Sequence, residues 1–256
     1  MALFNSGNPT LTEKMFDKTL NETSQAFGVM TVRGTLNKFG FLMLMLMGSA
    51  MYVWSISTPE TQSTANTLML VGMIGGFILA IVMMFKPSLA SYIAPAYAIL
   101  EGLAIGGISA YFNAIFAAKY PNMILHAVGL TMGVAIAMFL LYNFRIINVT
   151  DRLKSIIISA TLGIALFYFI VWILRLFGVN MGFGANDGSL LSIGISLFVV
   201  GIAAANLLLD FDSIEKGAEM GAPKYMEWYG AFGLLVTLIW LYLEILKLLS
   251  KLNSRK

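Results

Sequence analysis

The chain has 256 residues, of which 59% are hydrophobic and only 11% are charged, and its formal net charge is +3 at pH 7. Apolar stretches of about 20 residues recur along it, which is typical of a polytopic membrane protein with little sequence left for a soluble domain. Its basic residues lie at the ends of these stretches and therefore give no argument for nucleic-acid binding. The sequence has no cysteine, which excludes disulfides, thiolate metal sites and cysteine catalysis.

The chain begins with a polar segment, residues 1–38, that carries both signs of charge and lacks the apolar core of a cleaved signal peptide. We expect this segment to be a cytoplasmic tail. The spacing of Phe16, Leu20 and Phe27 predicts a short helix at the membrane surface. The alternative is a tail without regular structure.

Seven long apolar windows follow and predict an all-α bundle of seven transmembrane helices in residues 39–249, with a basic tail in residues 250–256. Short turns join the second, third and fourth spans, so these neighbours are expected to pack antiparallel. A glycine-rich loop separates the fifth span from the sixth. The predicted spans are Phe39–Ile56, Asn66–Phe85, Leu89–Ala118, Met123–Phe144, Ser155–Phe177, Leu190–Leu209 and Tyr229–Leu249.

The distribution of positive charge predicts the orientation of the bundle. With the N-terminal tail in the cytoplasm, the inner side collects most basic residues that flank the spans, namely Arg33, Lys38, Lys86, Arg145, Arg152, Lys154, Lys216 and Lys224. The basic C-terminal tail then lies outside, unless the last segment is re-entrant and returns inward. We expect seven full spans.

Three pairs of glycines at a spacing of four residues predict close approach between helices. The pairs are Gly72 with Gly76, Gly102 with Gly106, and Gly129 with Gly133. We expect packing within one chain, and therefore a monomer; a dimer contact is the alternative use of these pairs.

The carboxylates inside or next to apolar spans are the strongest functional signal. Glu101 lies within the third predicted span and Glu244 within the seventh, while Asp210 and Asp212 directly follow the sixth. A carboxylate in hydrocarbon costs roughly 2.5–3.5 kcal/mol on insertion scales, so a membrane protein that keeps one usually directs it to a polar path or a partner. These positions therefore predict ion or proton handling. Nothing in the sequence resembles a nucleophile–base pair or a phosphate-binding loop, so no enzymatic activity and no cofactor are expected.

Each carboxylate also has a structural explanation. Glu101 is explained as a neutral acid hydrogen-bonded to another helix. Asp210 and Asp212 differ by about 200° around a helix, so only one of them faces the bundle interior and the other belongs to a solvated helix end. Glu244 is explained by a local ion pair with Lys247, one turn further along.

Together these features resemble the Bax inhibitor-1 family, also known as the transmembrane Bax inhibitor motif family, and its bacterial branch in particular. The resemblance covers roughly Phe39 to Leu249. It rests on the order and spacing of three stretches, Ala98-Ile-Leu-Glu-Gly-Leu-Ala-Ile-Gly106, Leu209-Asp-Phe-Asp-Ser213 and Leu241-Tyr-Leu-Glu-Ile245.

The resemblance implies a seven-helix bundle with the seventh helix in its centre, in a bacterial inner membrane. It also implies a pH-sensitive calcium leak, in which the protein conducts calcium ions and binds protons. A pair of carboxylates on the sixth and seventh helices would form the latch that keeps the channel closed. Carried onto this chain, the pair is Asp212 and Glu244, which would also contact the calcium ion. Glu244 stands where the family pattern usually has aspartate. A basic residue near the end of the second span is matched only loosely, by Lys86.

A proton shared between two carboxylates provides a plausible latch, because both cannot be ionised cheaply at contact distance. Loss of the proton turns a hydrogen bond into repulsion and exposes oxygen ligands that suit calcium. One geometric objection is that Glu244 lies about 24 Å along a straight helix from Trp228. For this reason Asp210, with Asn206 one turn away, is the alternative partner. The candidate pore or support residues are Glu101, Asp210, Asn206 and Lys86.

Two other functional classes fit the sequence. The first is a non-conducting regulator that binds a membrane protease or another membrane protein through the N-terminal tail and the acidic loop Ser213–Tyr225, as the resemblance implies for some bacterial relatives. The second is a proton-coupled carrier, which would show saturable exchange tied to a proton gradient.

Overall fold

The computed structural model describes residues 28–179 and 188–254, and within these ranges the chain forms seven α-helices and no β-strand. A 3₁₀ turn, Pro87–Leu89, leads into the third helix. All seven helices are long and apolar enough to cross a membrane, which confirms the predicted all-α, seven-span fold. The helices are α1 Val32–Ser55, α2 Gln62–Phe85, α3 Ala90–Phe116, α4 Met123–Asn143, α5 Asp151–Leu176, α6 Leu190–Glu219 and α7 Met226–Ser254.

Parts of three sequence predictions lie outside the described residues. They are the tail up to residue 27 with the surface helix expected at Phe16, Leu20 and Phe27, the middle of the glycine-rich loop at residues 180–187, and the end of the basic tail at Arg255 and Lys256.

Several helices extend beyond the apolar windows that predicted them. Helix α1 begins at Val32 because the side chain of Thr31 accepts a hydrogen bond from the amide of Gly34 and caps the helix. Helix α6 continues to Glu219, so Asp210 and Asp212 lie inside the helix. It ends where Gly221 adopts a φ of +71° and the amide of Ala222 bonds to the carbonyl of Gly217.

The chain divides into two compact units. The first, the α1–α3 unit, contains the described residues up to Ile115 together with Asp212–Val236. The second, the α4–α6 unit, contains Phe116–Phe211 and the residues from Thr237 onward. Helix α7 therefore contributes its first part to the α1–α3 unit and its remainder to the α4–α6 unit.

Two of the three predicted glycine pairs bring helices of the α1–α3 unit into close contact. A Cβ atom at Gly72 would lie 2.7 Å from the backbone nitrogen of Ala104, so α2 and α3 approach closely. A Cβ atom at Gly106 would overlap the carbonyl oxygen of Ala50, so α3 and α1 do the same. The expectation of packing within one chain is wrong for Gly129 and Gly133, because a Cβ atom at either would meet nothing within 4 Å among the described residues. A dimer contact stays the alternative use of this pair.

Helix α7 is the most buried of the seven. In its most apolar 18-residue stretch 67% of the residues are buried, against 11–39% in the other helices. Large side chains such as Tyr229, Phe232 and Leu241 are fully enclosed. Polar side chains of α7 such as Thr237 and Glu244 are likewise buried.

Candidate functional site

One face of α5 supplies polar contacts to both α6 and α7 within the α4–α6 unit. Thr161 and Tyr168 are two helical turns apart and thus lie on the same side of α5. The hydroxyl oxygen of Thr161 accepts a hydrogen bond of 2.9 Å from the side-chain amide of Asn206. The hydroxyl of Tyr168 donates a hydrogen bond of 3.0 Å to a carboxylate oxygen of Glu244. Helix α5 therefore orients the polar side chains of its two neighbours.

Glu244 is held by a local group of three side chains. Its side chain is 1% exposed, and its second carboxylate oxygen accepts a hydrogen bond of 2.9 Å from the ammonium of Lys247. That ammonium also lies 4.9 Å from the centre of the Tyr168 ring, close enough for a cation–π contact. The local ion pair considered in the sequence analysis is thus present, and both carboxylate oxygens of Glu244 are hydrogen-bonded.

Asn206 and Asp210 occupy successive turns of α6 and are both buried, with exposures of 2% and 0%. Asn206 also donates to the carbonyl oxygen of Ile202 at 2.8 Å, which fixes the orientation of its amide. The burial of Asp210 assigns it to the interior of the α4–α6 unit.

The start of α6 contacts the end of α7 through Lys251. This lysine is only 6% exposed, and its ammonium donates to the hydroxyl of Ser196 at 2.8 Å and to the carbonyl oxygen of Ser192 at 3.4 Å. These contacts show that α6 and α7 run antiparallel. The sequence analysis had assigned Lys251 to a basic tail, whereas it lies in the last turn of α7.

These buried and half-buried side chains form a row that we call the polar seam. Ser192 and Asp210, at its two ends on α6, are about 27 Å apart along the helix axis, close to the ~30 Å thickness of a bilayer's hydrocarbon core. Polar groups are therefore distributed through most of the depth that the helix spans. The seam consists of Thr161, Tyr168, Ser192, Ser196, Asn206, Asp210, Glu244 and Lys251.

Asp212 belongs to the α1–α3 unit, where it is 8% exposed. Its carboxylate forms an ion pair of 2.9 Å with Lys216, one turn further along α6, and the lysine side chain is 30% exposed. A latch between Asp212 and Glu244 stays a prediction.

Glu101 and Lys86 belong to the α1–α3 unit. Glu101 is half-buried on α3, where its carboxylate lies close to the side chain of Tyr97, one turn before it. A Cβ atom at Gly76 would lie 2.8 Å from the Glu101 carboxylate, so the bare backbone of α2 leaves room for this side chain. Lys86 is exposed at the C-terminal end of α2.

The sequence analysis missed a fully buried carboxylate, Glu227, in the first turn of α7. It accepts hydrogen bonds from the backbone amide and the hydroxyl of Thr31, at 2.9 and 2.8 Å. It also pairs with Lys38 and, at 2.7 Å, with Lys224. We call this group the Glu227 clamp, consisting of Thr31, Lys38, Lys224 and Glu227. Its only sequence signal is a glutamate just before an apolar span.

A short backbone pairing reinforces the clamp. The amide of Met30 donates to the carbonyl of Ala222, and the amide of Lys224 donates to the carbonyl of Gly28. Val29 and Pro223 form an isolated antiparallel bridge between these bonds. The residues that precede α1 are thereby fixed to the loop between α6 and α7.

Within residues 28–179 and 188–254, no three histidine, aspartate or glutamate side chains come together as they would around a resident metal ion. A cation that entered the seam would therefore take its ligands from single carboxylates together with hydroxyl, amide and water oxygens.

Removing the hydroxyl of Tyr168 is expected to weaken the seam measurably. In Tyr168→Phe a buried carboxylate oxygen of Glu244 loses its donor, so the free energy of unfolding should fall by about 1–2 kcal/mol. Unfolding by denaturant in detergent micelles measures this change. The control is Tyr92→Phe, because Tyr92 is 80% exposed and should show no effect. Equal stabilities of the two variants would contradict the role given to the Tyr168 hydroxyl.

Comparison with known protein families identifies a match that covers most of the chain. The family described as "Bax inhibitor 1 like" matches residues 8–254, which is nearly the whole chain. Neither a curated protein nor a solved structure matches the chain.

Proposed function

Because the chain belongs to the Bax inhibitor-1 family, we propose that it is a calcium leak channel that responds to pH. In this proposal the polar seam is the route of the ion, and carboxylates of α6 and α7 form the gate. The orientation is the one that the positive charges favour, with the residues before α1 in the cytoplasm of a bacterium and the bundle in its inner membrane.

The single observation that carries the proposal is the extent of the polar seam. Polar side chains inside an apolar bundle are costly, and a helix bundle needs none of them to fold in lipid. Here carboxylate, amide and hydroxyl oxygens recur from Ser192 to Asp210 along α6. Hard cations such as calcium bind oxygen ligands of these kinds.

The gate requires a carboxylate on α6 in addition to Glu244. The resemblance points to Asp212, which already carries Lys216 as a counter-ion. Asp210 is completely buried and belongs to the seam, which favours it as the α6 member. The proposal therefore assigns this role to Asp210 and keeps Asp212 as the alternative.

The register of α6 and α7 suggests how Asp210 and Glu244 are coupled. With Lys251 beside Ser196, Glu244 lies beside about residue 203 of α6, and Asp210 is about 10 Å further along the axis. Asn206 lies in this interval. We therefore describe the gate as a relay through the amide of Asn206 instead of a direct contact between two carboxylates.

Protonation sets the direction of the pH response. At low pH the carboxylates of the relay are neutral and take part in hydrogen bonds, which hold α6 and α7 together. As pH rises, ionised carboxylates repel each other and attract calcium, so the leak should increase. Calcium at the ionised Glu244 must compete with the ammonium of Lys247, which forms an ion pair with this carboxylate.

Calcium influx into dye-loaded proteoliposomes between pH 5 and 8 tests the proposal. The native protein should show a flux that rises with pH, and both Glu244→Gln and Asp210→Asn should remove this dependence. Asp212→Asn should leave it unchanged if Asp210 is the α6 member, and should remove it if the alternative holds. Glu60→Gln is the control, because Glu60 is exposed in the loop between α1 and α2.

A different result would change the functional class. If vesicles with native protein were indistinguishable from empty vesicles at every pH, the channel proposal would fail. The non-conducting regulator would then be the better proposal, and binding of membrane proteins to the residues before α1 would be measured next.

A further inference from the structure

We propose that the start of α6 carries an oxygen-lined site for a monovalent cation, and that the ammonium of Lys251 is the cation that fills it. The inference deepens the proposed function, since a tethered charge at one end of the seam would keep other cations out. The existence of the site can nevertheless be tested without any measurement of flux.

The oxygen atoms of the site come from two serines one turn apart. The ammonium of Lys251 donates to the hydroxyl of Ser196 at 2.8 Å and faces the carbonyl oxygen of Ser192 at 3.4 Å. Carbonyl and hydroxyl oxygens are the groups with which proteins replace the water around alkali-metal ions. An ammonium group and a potassium ion have the same charge and similar size, so each can take the place of the other.

A second observation at the same residue points to a ligand. Ser192 is completely buried, and its hydroxyl oxygen has no hydrogen-bond partner among the described residues. A buried hydroxyl without a partner is destabilising, because it has lost its hydrogen bonds to water and gained none in the protein. The hydroxyl of Ser192, at the start of α6, is therefore free to bind a ligand as far as the described residues are concerned.

The position of Lys251 is also unusual for a lysine near a helix end. A lysine there normally extends along the helix to place its ammonium in water or at the headgroups. Lys251 instead is 6% exposed, while Lys247, one turn earlier, has a side chain that is 38% exposed. The partial negative charge at the C-terminal end of α7 helps to stabilise the buried ammonium.

A positive charge held at this place has a consequence for the seam. Two like charges repel strongly where protein excludes water, so a calcium ion could not share this end of the seam with the ammonium. Lys251 is thus a charge-selecting residue that must be displaced before a cation passes.

The test replaces the ammonium by a neutral side chain and supplies a free cation in its place. Lys251→Met should unfold about 5 °C below the native protein in choline chloride. Potassium chloride at the same ionic strength should recover most of this loss in a saturable manner, because potassium fills the vacated site. The native protein and the exposed-lysine control Lys119→Met should unfold at the same temperature in both salts.

Two further variants make the result decisive. Adding Ser196→Ala to Lys251→Met should abolish the recovery by potassium, because the hydroxyl ligand of the site is lost. If methionine prevents folding, Lys251→Gln takes its place, since its side chain is polar but shorter, carries no charge and leaves room for potassium at Ser196. A loss of stability that potassium does not recover in either variant would overturn the proposal and leave Lys251 as a structural contact.

The outcome is independent of the calcium leak. Recovery by potassium in a protein that conducts no calcium would support the cation site and contradict the channel. A calcium leak that depends on pH, combined with no recovery by potassium, would support the channel and contradict the site.

Discussion

Replacing Glu227 by alanine is expected to lower the free energy of unfolding by about 2–4 kcal/mol. The substitution leaves the amide and hydroxyl of Thr31 without their acceptor and leaves two lysines without a counter-charge. The side chains of Lys38 and Lys224 are 20% and 45% exposed, so water recovers part of the loss. Thr31 is exposed as well, so the expected effect comes from the fully buried carboxylate losing all of these partners together.

Unfolding by denaturant in detergent micelles measures this loss. Glu60→Ala is the matched control, because it removes an exposed glutamate from the same unit and should change stability little. A double-mutant cycle of Glu227→Gln with Lys38→Met isolates the ion pair and should give a positive coupling energy. Equal stabilities of Glu227→Ala and Glu60→Ala would show that the clamp contributes nothing.

The second large effect is expected from Gly106→Ala. The added Cβ atom would overlap the carbonyl oxygen of Ala50 and lie 2.9 Å from the Cα atom of Ala50. Both are backbone atoms of α1 and cannot turn aside, so α1 and α3 must move apart. We expect a loss of about 1–3 kcal/mol, as for other overpacked interiors, and a larger loss for Gly106→Leu.

Gly133→Ala is a control that should change stability in the opposite direction. No described atom lies within 4 Å of the position of its Cβ. The substitution therefore adds only helix propensity, which raises stability by up to about 1 kcal/mol. The same unfolding measurement compares the two variants. A loss at Gly133 as large as that at Gly106 would mean that the contact with Ala50 is not the cause.

The seven helices were predictable because each contains an apolar window long enough to cross a bilayer. The first and last residues of the helices were harder to predict, because the residues at the helix ends are polar. Thr31 extends α1 by capping it, and the ion pair of Asp212 with Lys216 lies in the part of α6 beyond its apolar window. A search for apolar residues cannot detect contributions of this kind.

Contacts between helices were predictable only where the sequence restricts the choice of partner. The ion pair of Glu244 with Lys247 follows from their spacing, whereas the contact of Glu244 with Tyr168 joins residues 76 positions apart. Glycine pairs with the same four-residue spacing also differ in their surroundings. Gly106 packs against α1, whereas a Cβ atom at Gly133 would meet no described atom within 4 Å. Which face of a helix meets a neighbour depends on the rotation of the whole helix, which no single pair of residues determines.

The Glu227 clamp has a consequence for the biosynthesis of the protein. Thr31 and Glu227 are 196 positions apart in the chain. At the usual rates of translation, a ribosome needs roughly 10–40 s to synthesise the residues between them. During that time α1 has left the ribosome, but the carboxylate that accepts from its capping residue, Thr31, does not yet exist. The start of the first helix is therefore among the last parts of the protein to reach its final structure.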